Sequence, residues 1–581
     1  MSRRVIVLLA LLVLVAGFGF AAGQDEQGDV EMAEGPTYGG TLTQKIHWGG
    51  NGVDTFDTSD LAQGVLAHTW TSPYAETLLI GDIETYGPRG SGEYDFTAYE
   101  LVPEQYLKGH LAESWEWTGP LTLEYKIREG VMWTSREGVM ESRELTAEDI
   151  AFSMNRTLTR FREQGSRQFD YVETVSAPGR YDLMITLNEY YADWAFHLGY
   201  RGIVQAIYPP EVVEAGPADW RNAVGTGPFK ITNYVDGSQA VYEKNPDYWD
   251  STTIDGEEYQ LPFVDRLVIP IIPDMSSTIA ALRTGQIDWQ VNVPLEYRDS
   301  LQQTSPELIL KEYLAGQTDF AALKMTEPPF DDVRVRRALM IGSDWETIAE
   351  DVYLGADVHA GPMNALTPYY TPMDELPEDV KVLYSNDPEM ASELLAEAGY
   401  PDGFEFTMYV DNGNQSGMSA IEVLQDQWAT RFNIELQMQP LDGTQIGGLV
   451  SGRGTEERPG DYSGSVIMTM ATTTPWVAYD RLGLISSFKN PARYDDEYFA
   501  ARFAEAEGTR DAAEREEIIS ELALHWLEDV PYLPFPNPYV QTAYWPWVQN
   551  YYGEVESAYY NHSAITARIW IDETMKESMG F

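Results

Sequence analysis

Apolar residues recur along this chain with two alternating periods. Leu121, Leu123, Tyr125 and Ile127 alternate with polar neighbours, as do Leu183, Ile185 and Leu187, and that spacing predicts half-buried strands. Between these two runs, Ile150, Met154, Leu158 and Phe161 fall on one face of a helix for which Thr146 is the N-cap. Phe229, Ile231 and Tyr234 read as a strand, Asp236-Gly237 as a turn, and Ala240 to Glu243 as the returning strand of a hairpin. Gly225, Gly227 and Pro228 just before it imply a sharp change of direction that needs glycine backbone angles. Further on, Asp387 caps a helix with Pro388 in its first turn. Met390, Leu394, Leu395 and Ala398 form its expected buried face, and Gly399 ends it. Phe404, Phe406, Met408 and Val410 then alternate into a strand. A helix over 419–431, a strand over 433–439 and a helix over 509–528 continue the α/β rhythm.

Two proline-broken apolar runs interrupt this rhythm. Leu267 to Pro273 (LVIPIIP) and Pro531 to Pro538 (PYLPFPNP) read as extended segments that cross between two packed bodies. The Gly-rich polar stretch Leu441 to Gly464 reads as a surface loop near a cleft. At the amino end, Arg3 and Arg4 precede an apolar run, Val5 to Phe20, and the small residues Ala21-Ala22-Gly23. Residues 1–23 are therefore expected to be a secretory signal peptide, and the acidic, aperiodic residues 24–36 a disordered tether.

A chain of 581 residues exceeds one ordinary core, so more than one domain is expected. The absence of cysteine excludes disulfides, thiolate metal sites, a cysteine nucleophile and a lipidated cysteine anchor, so the exported protein is expected to be free in the periplasm. A net charge of −54 argues against nucleic acid and acidic membranes as partners, and reads as a solvated acidic surface before it reads as a lure for cations. Neither a phosphate-binding G-x-x-x-x-G-K-[ST] loop nor a G-x-S-x-G elbow is present, and the seven histidines are scattered, His525 on an amphipathic helix among them. No catalytic, cofactor or metal site is expected, and no cofactor. The 16 tryptophans and 36 tyrosines exceed what a core requires, so some are expected to stack against a ligand.

Several blocks, in order, resemble the family 5 extracytoplasmic solute-binding proteins, the capture subunits of ABC importers for peptides, oligosaccharides or nickel. They are Leu111 to Trp115 (LAESW), Leu123 to Trp133, Leu145 to Asn155, the GTGPF turn with Asn245 to Trp249 (NPDYW), Phe330 to Ala338, Asp387 to Gly403 and Glu528 to Pro536. The resemblance implies an α/β, two-lobed periplasmic binding protein fold of type II, of the large cluster with an extra subdomain in lobe I. It places lobe I at 37–270 and 535–581 and lobe II at 271–534. It also implies a monomer that docks on the membrane permease of an ABC importer and catalyses nothing. Trp48 follows the first strand, where the family's pocket begins. Thr472 to Asp480 (TTTPWVAYD) falls where relatives carry a W-x-x-D-x-x-D-P-like loop, but with different spacing. Trp48, Tyr370, Trp476, Tyr479 and Asp480 are thus the candidate ligand-binding residues, with Tyr369 beside them, while Trp115, Trp249 and Trp526 are assigned to structure. An oligopeptide is the expected ligand, with an oligosaccharide as the alternative and a secreted hydrolase or nickel carrier behind both.

Overall fold

The computed structural model describes residues 35–46, 52–60, 63–97, 102–451, 462–471, 473–487 and 489–581. Trp48, and the signal peptide and tether up to residue 34, lie outside them. From Pro36 onward the chain is one compact unit, built around two large sheets, each with its own hydrophobic core.

The first sheet has seven strands, in the order Ile309–Leu314, Tyr539–Tyr544, Trp289–Pro294, Thr41–Lys45, Arg266–Pro270, Gln239–Lys244 and Phe229–Val235. Thr41–Lys45 lies near its centre, parallel to both neighbours, so the carboxyl ends of these strands open on the same edge. The hairpin Phe229–Lys244 forms as the alternation predicts, with Gly237 at φ +65° in its turn. Gly225 and Gly227 have another reason to be glycine. Neither has a positive φ, but a Cβ on Gly225 would sit 1.8 Å from the Tyr74 carbonyl oxygen, and one on Gly227 2.8 Å from the Tyr74 carbonyl carbon. Glycine is required there for the close approach of two backbones.

A four-stranded antiparallel sheet, Ala112–Gly119, Thr122–Ile127, Asp182–Leu187 and Val172–Gly179, forms a subdomain of this lobe, covered by the helix Ala147–Glu163. Ile150, Met154, Leu158 and Phe161 are buried against it. Asp149 closes the helix start by accepting the Thr146 backbone N–H at 2.9 Å.

The second sheet has five strands, in the order Glu435–Leu441, Glu405–Asp411, Ser465–Ala471, Gln317–Leu323 and Tyr532–Pro534. The helix Gln415–Phe432 packs Leu424 and Trp428 into the core that also holds Phe406. Asp387 caps the helix Pro388–Glu397 through the N–H groups of Glu389 and Met390. Its buried face is Ala391 and Leu395, whereas Met390 is exposed, so the apolar stripe lies one position further round the helix than the spacing predicts. Because this cap sits at the surface, Asp387→Ala is expected to cost about 1 kcal/mol, read as a lower urea midpoint.

The chain passes between sheets in other places than the proline pattern suggests. Arg266–Pro270 lies inside the first sheet, with Leu267 and Ile269 fully buried, and the strands Trp289–Pro294 and Ile309–Leu314 follow it there. The first crossing instead falls between Leu314 and Gln317, and the return between Pro534 and Tyr539, inside the second proline-rich run. Pro270 and Pro273 end a strand rather than leave a lobe. Of the expected loop after Leu441, Gly443–Val450 is a helix closed by an Asp442–Gln445 capping box, and residues 452–461 lie outside the described set.

Most tryptophans serve the two cores. Trp70, Trp133, Trp194, Trp428, Trp526, Trp545 and Trp547 are fully buried. Trp545 and Trp547 stack at 4.7 Å, and Trp547 donates to Asp288. Trp249 donates to the buried Glu76, as its structural assignment requires.

Candidate functional site

In open α/β sheets ligands gather outside the carboxyl ends of parallel strands. Buried polar atoms without a hydrogen bond collect there in both lobes. In the first lobe, Lys45 ends the central strand, is 9% exposed, and makes no ion pair or hydrogen bond among the described residues. Burial lowers the pKa of its ammonium, and Asp274 opposes that only through longer-range attraction. Gln290, its register partner on the neighbouring strand, has an unpartnered Oε1. Lys45 and Ile46 line a small pocket with Trp289, Val291, Glu556 and His562. The Nε2 of His562 has no partner, and burial lowers the pKa of its ring to about 4, so it is neutral at pH 7.

In the second lobe the carboxyl end of Ser465–Ala471 leads to Thr473 and Thr474. These hydroxyls are buried and make no hydrogen bond within the described protein. Thr474 stands at the N-cap of the helix Pro475–Gly483, yet its side chain does not cap it. Among the described residues, both lobes thus hold buried polar groups without a hydrogen-bond partner, an arrangement that costs free energy unless something else satisfies them.

A cavity of about 380 Å³ lies where the two lobes meet the crossing strands. Asn292, Pro294, Leu295 and Glu296 line it from the first lobe, Asp319, Tyr353, Asn414 and Thr469 from the second, and Ala315, Gln317, Pro538 and Tyr539 from the crossings. Burial raises the pKa of Asp319, which accepts hydrogen bonds from Asn414 at 2.8 Å and Thr469 at 2.6 Å.

A separate seam joins the lobes. The Ala192 N–H donates to the Glu507 carbonyl at 2.8 Å, and the Tyr191 ring lies 6.5 Å from that of Trp476. The Arg510 guanidinium lies 4.0 Å from the Tyr190 ring and 4.5 Å from that of Trp117, and it donates to the Pro120 carbonyl. Burial, with Asp480 and Glu189 close by, pushes the Glu507 carboxyl up to about 7; a hydrogen bond from Tyr191 acts the other way.

The candidate residues from the sequence are scattered by this geometry. Trp476 is 7% exposed and packs between Tyr191 and Phe503, on the seam. Tyr479 is fully buried in the second core and donates to the Ile519 carbonyl at 2.8 Å. Asp480 accepts from Ser487 at 3.0 Å, and burial raises its pKa. Tyr370 lies parallel to His359 at 6.1 Å, in the segment that reaches the return crossing through the Asp357–Asn537 bridge. Lys45, Gln290, His562, Thr473 and Thr474 carry no sequence signal: Lys45 ends its strand, Gln290 is second in its own, His562 precedes the helix Ser563–Arg568, and the threonines follow Ser465–Ala471. Asp496, His525 and Asp529 offer ligand atoms within 4.8 Å of one another on the second lobe, but Asp496 caps a helix through Phe499 and Asp529 accepts from Tyr494, so both acids already have structural work. Among the described residues, no helix is long and apolar enough to cross a membrane.

Residues 107–490 match the family described as bacterial extracellular solute-binding proteins, family 5 middle. Heme-binding protein A of Haemophilus influenzae is 27% identical over 456 residues, spanning 73% of this chain and 78% of that protein. Di/tripeptide-binding protein 2 of Pseudomonas aeruginosa is 26% identical over 461 residues, 74% of this chain and 80% of that one. The oligopeptide-binding protein AppA of Bacillus subtilis, solved with a nonapeptide, superposes with a TM-score of 0.67 at 21% identity, over 92% of this chain and 100% of the other. The two-lobed α/β fold is shared with it, and the chain belongs to the bacterial extracellular solute-binding proteins of family 5.

Proposed function

We propose that this chain is the extracytoplasmic capture subunit of an ABC importer and that it binds oligopeptides between its lobes. The observation that carries this reading is a set of buried polar groups without hydrogen-bond partners among the described residues: Gln290 Oε1 and His562 Nε2 close to Lys45 in the first lobe, and the Thr473 and Thr474 hydroxyls in the second. A peptide supplies what those groups lack, a terminal carboxylate for the ammonium and amide groups for the hydroxyls and ring nitrogen. The relatives named for di- and tripeptides and the AppA–nonapeptide structure support that ligand class. Lobes at 36–314 with 539–581, and at 317–534, would move about the two crossings and close on the ligand. Tyr479 and Asp480 then serve the fold and the seam rather than the ligand. A thermal-shift screen of the full chain tests this: di- to nonapeptides should raise the melting temperature by mass action, and oligosaccharides should not. A rise with sugars alone would replace the peptide reading with the oligosaccharide one.

Closure should also depend on pH. A carboxyl whose pKa is raised when the lobes meet holds its proton more tightly in that state, so closure takes up a proton at Glu507. The closed state therefore loses stability as pH climbs from the ordinary carboxylate range through about 7. Glu189 and Tyr191 face Glu507 across the seam, while Asp480 lies near it on the same lobe. Peptide affinity is expected to fall severalfold, on the order of 1 kcal/mol, between pH 5 and pH 8, and Glu507→Gln should flatten most of that slope in calorimetry.

A further inference from the structure

A second cavity, of about 140 Å³, lies inside the first lobe, well separated in its lining from the interlobe walls. It is bounded by the short strand pair Leu79–Gly81 and Leu107–Gly109, by Trp249 and Asp250, and by Ala564 and Arg568. Its volume equals that of about four or five waters. In a chain with 38 basic residues against 92 acidic ones, Lys108, Arg128, Arg568 and His110 all converge on this one space.

Their pairing is uneven. Lys108 meets Glu84 at 3.1 Å, and Arg568 meets Glu84 and Asp250, each at 2.9 Å. His110 Nε2 is held 2.8 Å from Glu76. Arg128 has no carboxylate within ion-pair distance among the described residues. Its guanidinium stacks 4.4 Å from the Trp249 ring, and its Nε donates to the His110 carbonyl at 3.1 Å. Stacking fixes the plane of the guanidinium while leaving its edge for in-plane hydrogen bonds. Two further nitrogens, Arg568 Nε and His110 Nδ1, are buried without a partner among the described residues, on residues 1% and 5% exposed.

We propose that this cavity is a binding site for a small oxyanion, carboxylate or phosphate in chemistry, held by the edge of Arg128 and by Arg568 Nε. With Nε2 committed to Glu76, His110 Nδ1 can accept a proton from a protonated acid when the ring is neutral, or donate when the ring is charged. Such an anion would tie the Leu79–Gly81 and Leu107–Gly109 pair to the helix Ser563–Arg568.

The test is calorimetric titration of inorganic phosphate, and separately of acetate, into the full chain at fixed ionic strength. Three proteins are compared: the natural chain, Arg128→Met, which keeps an apolar stem over Trp249, and Arg221→Met, which removes an exposed arginine paired with Asp219 outside both sites. Saturable binding of either anion that weakens at least tenfold in Arg128→Met and is unchanged in Arg221→Met supports the site, and the anion that binds more tightly names its chemistry. Equal binding by the natural chain and Arg128→Met, an equal loss in Arg221→Met, or no binding of either anion would each overturn it. Should Arg128→Met fail to fold, Arg128→Lys serves, since a point charge without a planar fork should still lower affinity severalfold.

Discussion

Replacing Lys45 with methionine is expected to weaken binding of free-carboxylate peptides by about ten- to a hundredfold, the equivalent of about 1.5–3 kcal/mol for a hydrogen bond to a charged group. Lys45 is the residue on which the ligand reading leans hardest. A buried ammonium without a carboxylate is costly, and the chain tolerates one at the end of its central strand, beside the unpartnered Gln290 Oε1. Methionine keeps most of the volume, so the first lobe should fold as before, and relief of the unpaired charge should leave the free protein as stable or more so. The comparison that isolates the charge uses the same peptide as its carboxyl-terminal amide. The natural chain should lose affinity for the amide, and Lys45→Met should bind acid and amide alike. A variant that still prefers the acid by tenfold would place the carboxylate elsewhere.

Arg510→Ala should raise the apparent Kd roughly five- to thirtyfold although Arg510 lines neither wall of the site. Its exposed guanidinium gives about 0.5–1 kcal/mol per aromatic face, from Tyr190 and Trp117, together with a charged hydrogen bond to Pro120 that solvent competition weakens. All three contacts join one lobe to the other, so under the proposed hinge motion they favour the closed arrangement. Removing them lowers the closed fraction of the free protein, and the apparent Kd rises by that factor while the contacts to the ligand stay intact. Arg510→Lys should recover part of the loss, because an ammonium keeps attraction to a ring but lacks the guanidinium's fork of donors for Pro120. Unfolding of the separate lobes should be unaffected, which distinguishes a latch from a stabilising surface residue.

What the sequence made legible is what short-range chemistry decides. The Phe229–Lys244 hairpin, the helix capped by Asp387 and the helix after Thr146 each declare themselves within a dozen residues, through a turn glycine, a capping carboxylate or a repeated apolar face. The crossings were harder, because proline ends an internal strand at Pro270 for the same reason that it breaks a strand between lobes. The unpartnered polar groups were harder still. Lys45, Gln290 and His562 are brought together by a parallel sheet and a late loop hundreds of residues apart, and nothing about a lysine or a glutamine in a strand marks it as unpartnered. Aromatic side chains are ambiguous in the opposite sense, because a ring that suits a ligand suits a core equally well: Tyr479 and most tryptophans fill two large cores, and Trp476 supports the seam. Asp480 stood in the loop where a relative's aspartate was expected, yet its helix turns the carboxylate toward Ser487 and the Glu507 cluster.

If a peptide is held between lobes that close around it, the protein changes shape as it binds. Small-angle X-ray scattering of the natural chain and of Arg510→Ala, each titrated with a peptide taken from the thermal screen, reads that change. Arg510→Ala should be the more expanded without ligand, both proteins should contract as peptide is added, and their saturated curves should superpose. A peptide that binds with calorimetric saturation while leaving both scattering curves unchanged would contradict capture by closure.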